Sequence, residues 1–299
     1  MEQIFSLLPV HLHVPLAWIS GKDDVEEIRL RIHQPVEVTT AYGTTFLSDR
    51  NGRFYVMTEE DMEYTLHQLS EYSLYAFQEE MKQGYITTKG GHRVGIGGQV
   101  VRENGIIQSI KHVRYFNIRK AAHHQGAARP YIKQLLKPPC GHTLVYGPPQ
   151  AGKTTFLRDL AHSASEGVSK WNIPSRKVGI VDERSELAAC YHGTPSFPVG
   201  KRTDVLDACP KAEGMMMMIR SMSPEIIVVD EIGRQEDADA VMEAVHAGAS
   251  VFCSAHAGSF QELKQRPVLK ELLDARVFHN VLQLQRRNGQ VRAVMVHDN

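Results

Sequence analysis

The chain has no excess of charge of either sign. Lys and Arg total 34, and Asp and Glu also total 34. No global field therefore draws it toward nucleic acid or anionic lipid, and neither is expected as a direct partner. Cysteine is scarce as well. The four, at 140, 190, 209 and 253, form no C-x-x-C pair and no metal-ligand spacing, so they read as reduced thiols of a cytosolic protein. No uncharged apolar run approaches the length of about 18 residues that suggests a spanning helix. Pro9, His11, His13 and Pro15 interrupt the apolar residues at the start, and no basic segment precedes them. Neither a transmembrane segment nor a signal peptide is expected, and any membrane association is expected to be peripheral, through a partner.

What is present begins with length: 299 residues suffice for two compact domains. The first part alternates over Glu27 to Val38 (Ile28, Leu30, Ile32), which predicts a strand, with a second near Thr44 to Leu47. Glu59 to Tyr85 has helical spacing through Met62, Tyr64, Leu66, Leu69, Leu74, Phe77 and Met81. Glycine-rich turns and short strands follow to about Phe116. Gly90 to Gly98 resembles a phosphate loop in composition, but no helix signal follows, so a hairpin or tight turn is expected. The mixture is α+β. Polar His123-His124-Gln125-Gly126 ahead of Pro130 marks a boundary, giving an N-terminal domain over 1–125 and a second over 126–299. The adjacent histidines read as linker, because neighbours rarely both reach one ion.

The second domain carries the chemistry. Gly147-Pro148-Pro149-Gln150-Ala151-Gly152-Lys153-Thr154 fits G-x-x-x-x-G-K-[ST]. Apolar Leu144-Val145-Tyr146 precedes it, and Thr155 to Leu160 reads as the first turns of a helix. Strand, loop and helix in that order aim backbone N–H groups and a helix N-terminus at one point, where a polyphosphate sits. Gly147 to Thr155 are the nucleotide-binding candidates, with Lys153 reaching the β- and γ-phosphates and the Thr154 hydroxyl on Mg²⁺. The expected cofactors are ATP and Mg²⁺. A glycine turn serving only the backbone is the plainer alternative.

Downstream, Ile226-Ile227-Val228-Val229 ends in Asp230-Glu231, the pattern of a buried parallel strand with acids at its C-terminal edge. Open α/β sheets hold their ligands there. Asp230 suits the metal ion, and Glu231 suits orienting the attacking water. Val178 to Val181 likewise ends in Asp182-Glu183-Arg184-Ser185-Glu186. Neighbouring parallel strands bring Asp182 and Glu183 near Asp230 and Glu231, where crowded carboxylates favour a cation; alternatively Arg184 neutralises them. Ser250 to Ala257 reads as one more core strand ending near His256, which its place in the order sets close to the γ-phosphate, although a lone histidine is often structural. Met215 to Met218 suits either a surface that repacks between subunits or the core face of a helix, and the core reading is preferred.

This ordered series resembles the secretion ATPase superfamily, the hexameric motors of type II and type IV secretion and of pilus retraction. The fold the resemblance implies is α/β: a RecA-like P-loop ATPase domain with a parallel sheet, plus a smaller N-terminal α+β domain. By position Asp182, Glu183 and Glu186 resemble the acidic box, Glu231 the water-activating glutamate and His256 the His box. The resemblance makes Glu231, Glu183, His256 and Lys153 the catalytic candidates, with Thr154 and Asp230 on the metal. Many such motors have glycine where this chain has Asp230. They also supply arginines from the N-terminal domain to the nucleotide, which marks Arg93, Arg102, Arg114 and Arg119, Arg93 foremost. A narrower resemblance, through Glu26-Glu27-Ile28-Arg29-Leu30-Arg31, Gly84-Tyr85-Ile86-Thr87, Gly90 to Gly98 and Val229-Asp230-Glu231-Ile232-Gly233, is to the stage III sporulation protein AA family of endospore-forming bacteria. It implies an ATPase of the mother-cell cytoplasm that works as a homo-oligomeric ring on an inner-membrane platform protein of the channel to the forespore. Rival readings are an ABC-type subunit or helicase, and a nucleotide-dependent assembly factor that does not hydrolyse. Met215 to Met222 stands where an ABC signature belongs, and a helicase calls for a basic, aromatic-studded surface.

Overall fold

The computed structural model describes residues 1–19, 25–70, 81–82, 84–121, 126–287 and 290–296. The chain divides into two compact units between Ala122 and His123. Leu74 and Phe77 of the expected helix, and the His123-His124 pair, lie outside the described residues.

In the first unit, short helices α1 (Glu2–Phe5) and α2 (His13–Trp18) precede strands β1 (Val25–Arg31), β2 (Glu37–Thr40) and β3 (Gly43–Phe46). Helix α3 (Glu59–Ser70) follows, then β4 (Tyr85–Thr87), β5 (Arg93–Glu103) and β6 (Ile106–Arg119). The sheet runs β3-β2-β1-β6-β5-β4, antiparallel throughout. Ile4, Leu12, Leu16 and Met62 pack with Ile28, Leu30, Val94 and Ile118 in its core. The β1–β2 register slips between Val25 and Glu27, and that extra residue lets Val25, Ile28 and Leu30 all be buried despite uneven spacing.

Two expectations fail here. The single strand over Glu27 to Val38 is two strands with a turn between them, where His33 takes φ 56° and Pro35 has no N–H for the ladder. The alternation of Ile28, Leu30 and Ile32 hid the break. The short strands before Phe116 are one long ribbon of β5 and β6. Gly90 and Gly91 do make the expected turn, at φ 85° and 76°, between antiparallel β4 and β5. Gly98 instead serves close packing: a Cβ there would lie 2.7 Å from the Lys111 carbonyl oxygen, beside a register shift between Gly97 and Gln99.

His92 closes this unit. Its Nδ1 accepts from the Ala121 N–H at 3.1 Å, and its Nε2 faces Gln3 Oε1 at 3.3 Å. Burial first, then the N-terminal amine and Lys120, push its pKa from 6.5 to about 4. With the folded value below the unfolded one, the unfolded chain takes up the proton first. The stability His92 contributes is therefore complete above about 6.5 and lost as the pH falls toward 4. His92→Asn keeps an acceptor without a titrating ring, and is expected to flatten this acid loss in urea midpoints measured across that window.

The second unit opens with α4 (Ile132–Leu135), β7 (Thr143–Gly147), α5 (Lys153–Glu166) and β8 (Val178–Asp182). It continues through β9 (Cys190–Tyr191), β10 (Thr194–Pro195), β11 (Thr203–Asp207), α6 (Lys211–Ser221), β12 (Ile226–Val229) and α7 (Gln235–His246). It ends with β13 (Ser250–His256), α8 (Phe260–Gln265), α9 (Pro267–Asp274), β14 (Asn280–Arg287) and β15 (Gln290–Met295). The sheet order is β11-β8-β12-β13-β7-β14-β15; all neighbours are parallel except the β14–β15 hairpin. Both faces are covered. Phe156, Leu157 and Leu160 of α5 pack with Val145, Ile180, Val228 and Phe252. On the other face Met215 and Met218 of α6, Val241 and Ala244 of α7, and Leu269 of α9 pack with Leu144, Val181, Val229 and Cys253. Burial on both faces explains the uninterrupted β-branched run of β12. The methionine run divides by helical period: Met215 and Met218 are core, while Met217 is exposed.

Candidate active site

Register brings the site together. In β12, Val229 pairs with Val181 on one side and with Cys253 on the other. One residue further on, Asp182, Asp230 and Ser254 therefore come level across three strands. By alternation they lie on the face of Ile180, Val228 and Phe252, the face that α5 covers. Because β13 lies between β12 and β7, His256 pairs with Gly147 and sits between the two motifs that the sequence analysis joined.

The loop itself follows from its backbone. Gly147 ends β7, Pro148 to Gln150 are exposed, and Ala151 is buried in the core. Gln150 takes φ 61° and Gly152 φ 93°, the left-handed turn that starts α5 and that glycine adopts without strain. Thr154 and Thr155 lie half-buried in the first turn of this 14-residue helix, whose N-terminal N–H groups favour an anion.

Lys153 is only 5% exposed. Its Nζ donates to the Gly147 and Pro148 carbonyls, both at 3.1 Å, and to His256 Nδ1 at 3.0 Å. All three N–H bonds of the ammonium are thus used. Burial lowers its pKa, and Asp230 and Glu231 oppose that shift. Since an ammonium only donates, His256 accepts at Nδ1 and carries its hydrogen on Nε2, which lies 2.5 Å from Glu231 Oε1. Glu231 Oε2 in turn accepts from Arg184 Nη1 at 2.8 Å. Lys153, His256, Glu231 and Arg184 form one chain of contacts. The backbone of Glu231 is left-handed, φ 54°, a conformation that costs a non-glycine residue about 1–2 kcal/mol.

Asp230 is held from two sides. The Thr154 hydroxyl donates to its Oδ2 at 2.5 Å, and the Ser254 hydroxyl donates to its Oδ1. A hydroxyl and a carboxylate within bonding distance at a helix N-terminus are a hard, all-oxygen donor pair, which fits Mg²⁺ alongside phosphate oxygens. The loop, the free helix end and this pair fit Mg-ATP.

Asp182 and Glu183 are each held by partners of their own. Asp230, Glu231, Asp182, Glu183 and Glu186 line one cleft together with Arg184 and Lys211. Among the described residues no three His, Cys, Asp or Glu are arranged to hold a metal ion. Glu183 is ion-paired with buried Lys211, the first residue of α6. Asp182 is buried and accepts from the N–H groups of Glu186 and Ala188, both at 2.8 Å. Burial raises its carboxyl pKa, against the pull of those backbone bonds. It braces the loop at the edge of the cleft. Arg158 of α5 grips the same loop from behind, donating to the Leu187 carbonyl at 2.5 Å and the Glu186 carbonyl at 2.6 Å under the Phe197 ring. Its burial lowers its pKa to about 10, opposed by Asp182, Asp230 and Glu186, so it stays charged at neutral pH. Arg93 opens β5 in the first unit, where its guanidinium lies 3.5 Å from the Tyr85 ring centroid; Arg114 there pairs with Glu59 at 3.5 Å.

Sequence reasoning missed Lys211, Arg158 and Ser254. Period-2 spacing offered a signal for Ser254, a small polar residue two before His256 on the same strand face. Nothing local marked the other two.

The family model described as Sporulation stage III, protein AA matches residues 1–298. The chain is 47% identical over 300 residues to Stage III sporulation protein AA of Bacillus subtilis (strain 168), covering 100% of this chain and 95% of that protein. Among solved structures it is similar to the Legionella pneumophila ATPase DotB, with TM-score 0.64 and 16% identity over 96% of this chain and 80% of that one. It is also similar to the pilus retraction motor PilT with bound ADP, with TM-score 0.63 and 14% identity over 92% of this chain and 80% of that one. The likeness to these structures is one of fold: mixed α/β with a largely parallel, RecA-like sheet.

Proposed function

The chain belongs to the sporulation stage III protein AA family, and from that premise we propose that it is an ATP-hydrolysing motor of the secretion type. The observation that carries this reading is the meeting of Thr154 with Asp230 at 2.5 Å beneath a chain of contacts from Lys153 through His256 to Glu231. Lys153 binds the β- and γ-phosphates, and the loop N–H groups from Gly147 to Thr155 cradle them. Thr154 and Asp230 hold Mg²⁺, which neutralises charge on the phosphate oxygens when bound. Glu231 orients the attacking water and Glu183 assists from across the cleft. His256 answers the γ-phosphate. The architecture shared with DotB and PilT supports the reading.

By the same reading the active form is a homo-oligomer, a hexameric ring, in which Arg93, Arg102, Arg114 or Arg119 completes the nucleotide site. It acts from the mother-cell cytoplasm on an inner-membrane platform protein, energising assembly of, or transport through, the channel to the forespore. No helix among the described residues is long and apolar enough to cross a membrane. Phosphate release per chain, measured with Mg-ATP over a range of protein concentrations with and without DNA, tests the proposal. A steep rise with concentration and indifference to DNA are expected. Nucleotide binding without phosphate release at every concentration leaves an assembly factor instead, and stimulation by DNA leaves a nucleic-acid ATPase.

A further inference from the structure

Ser254 makes more bonds to the 230–232 turn than any strand neighbour needs. Its hydroxyl donates to Asp230 Oδ1 and accepts from the Glu231 N–H at 3.0 Å. Its carbonyl accepts from the Ile232 N–H at 2.8 Å. The side chain is fully buried. Regular β12–β13 pairing ends at Val229 and Cys253, so these three bonds continue the contact around the corner where Glu231 turns left-handed. A hydroxyl is the smallest group that gives one hydrogen and accepts another at the same atom. Alanine offers neither bond, and at this place leaves the Glu231 N–H and Asp230 Oδ1 without their partner.

We propose that Ser254 is a positioning residue that fixes Asp230 and Glu231 relative to one another, and so sets where the Glu231 carboxylate stands over the phosphate loop. The proposal rests on the ATPase reading above. Asp230 is fixed by Thr154 on the far side, so the loop of Gly147 to Thr154 keeps its own contacts when the Ser254 hydroxyl is removed. What is lost is the hold on the strained peptide of Glu231. Its backbone then relaxes and its carboxylate leaves the place from which it orients water. Ground-state nucleotide contacts are untouched, so the loss falls on turnover and not on binding.

The test uses the full chain as wild type, Ser254→Ala and Ser254→Thr. It measures kcat and KM for phosphate release, the affinity for a fluorescent ATP analogue, and the thermal midpoint. Ser254→Ala is expected to lose roughly 10- to 100-fold in kcat, the size of a small misplacement of a catalytic group, with affinity and KM held and the midpoint modestly lowered, because two buried groups lose their partner. Ser254→Thr keeps the hydroxyl and is expected to recover most of the rate. Equal turnover by wild type and Ser254→Ala overturns the proposal alone. So does a loss shared by kcat, affinity and midpoint that threonine fails to restore, because a purely structural serine behaves that way. A wild-type chain that binds nucleotide and releases no phosphate ends the ATPase reading, and this proposal with it.

Discussion

Glu231→Gln is expected to lower kcat for ATP hydrolysis by about 10²–10⁴-fold, the range for removing a positioned proton acceptor, while nucleotide still binds. The amide keeps the size and the planar shape of the carboxylate, so the backbone turn is not disturbed. Its electrostatics change. Glu231 accepts from two donors at once, His256 Nε2 and Arg184 Nη1, and glutamine presents one acceptor oxygen and one amide donor in their place. One of the two partners must then turn away or change tautomer. Single-turnover phosphate release beside binding of a fluorescent nucleotide separates the two effects. Turnover equal to wild type removes Glu231 from the role of orienting water. Turnover lost in step with affinity points to a collapsed loop instead.

Lys153→Ala is expected to act on binding itself. Charge-assisted hydrogen bonds contribute about 1.5–3 kcal/mol each, so losing two contacts to phosphate weakens nucleotide by about 10²–10³-fold or more. The ligand-free protein should be little harmed. Lys153 is a buried cation whose own ionisation burial disfavours, and alanine relieves that cost, offsetting the loss of its bonds to the buried Gly147 carbonyl and the exposed Pro148 carbonyl. The expected pattern is therefore an unchanged or slightly raised thermal midpoint without ligand, and loss of the nucleotide-induced shift in that midpoint. A normal shift in the variant places the phosphates elsewhere.

Much of this site was legible in the sequence because its parts are contiguous. Gly147 to Thr154 states its own geometry, and the acids ending β8 and β12 declare themselves by a β-branched run that stops at charge. Parallel pairing then fixes their neighbourhood, and the order β12-β13-β7 places His256 where its rank in the chain suggested. For the acid cluster the sequence offered either a bound cation or neutralisation by Arg184; Arg184 does pair with Glu231, but the other counter-charges were not visible. Glu183 is answered by Lys211, 28 residues on, and Asp182 by backbone N–H groups of its own loop. Long-range partners of this kind leave no local pattern. Neither does the turn at His33, where alternation continued through Ile32 while the backbone did not. The glycines before Phe116 misled only in part: Gly90 and Gly91 turn the chain as expected, but composition cannot distinguish a glycine that bends the chain from one, like Gly98, that lets two strands approach.

The closed loop of contacts around Lys153 has a consequence for release. On the proposed reading, with every ammonium hydrogen already placed, an incoming polyphosphate would not fill a gap; it would compete with the Gly147 and Pro148 carbonyls and with His256 for the same donor. Each cycle that ends returns the lysine to those waiting acceptors, so departure of the spent nucleotide leaves no bare charge behind. On the ATPase reading proposed above, an empty site keeps its lysine hydrogen-bonded, and product leaves more readily than from a site whose lysine has nowhere else to turn.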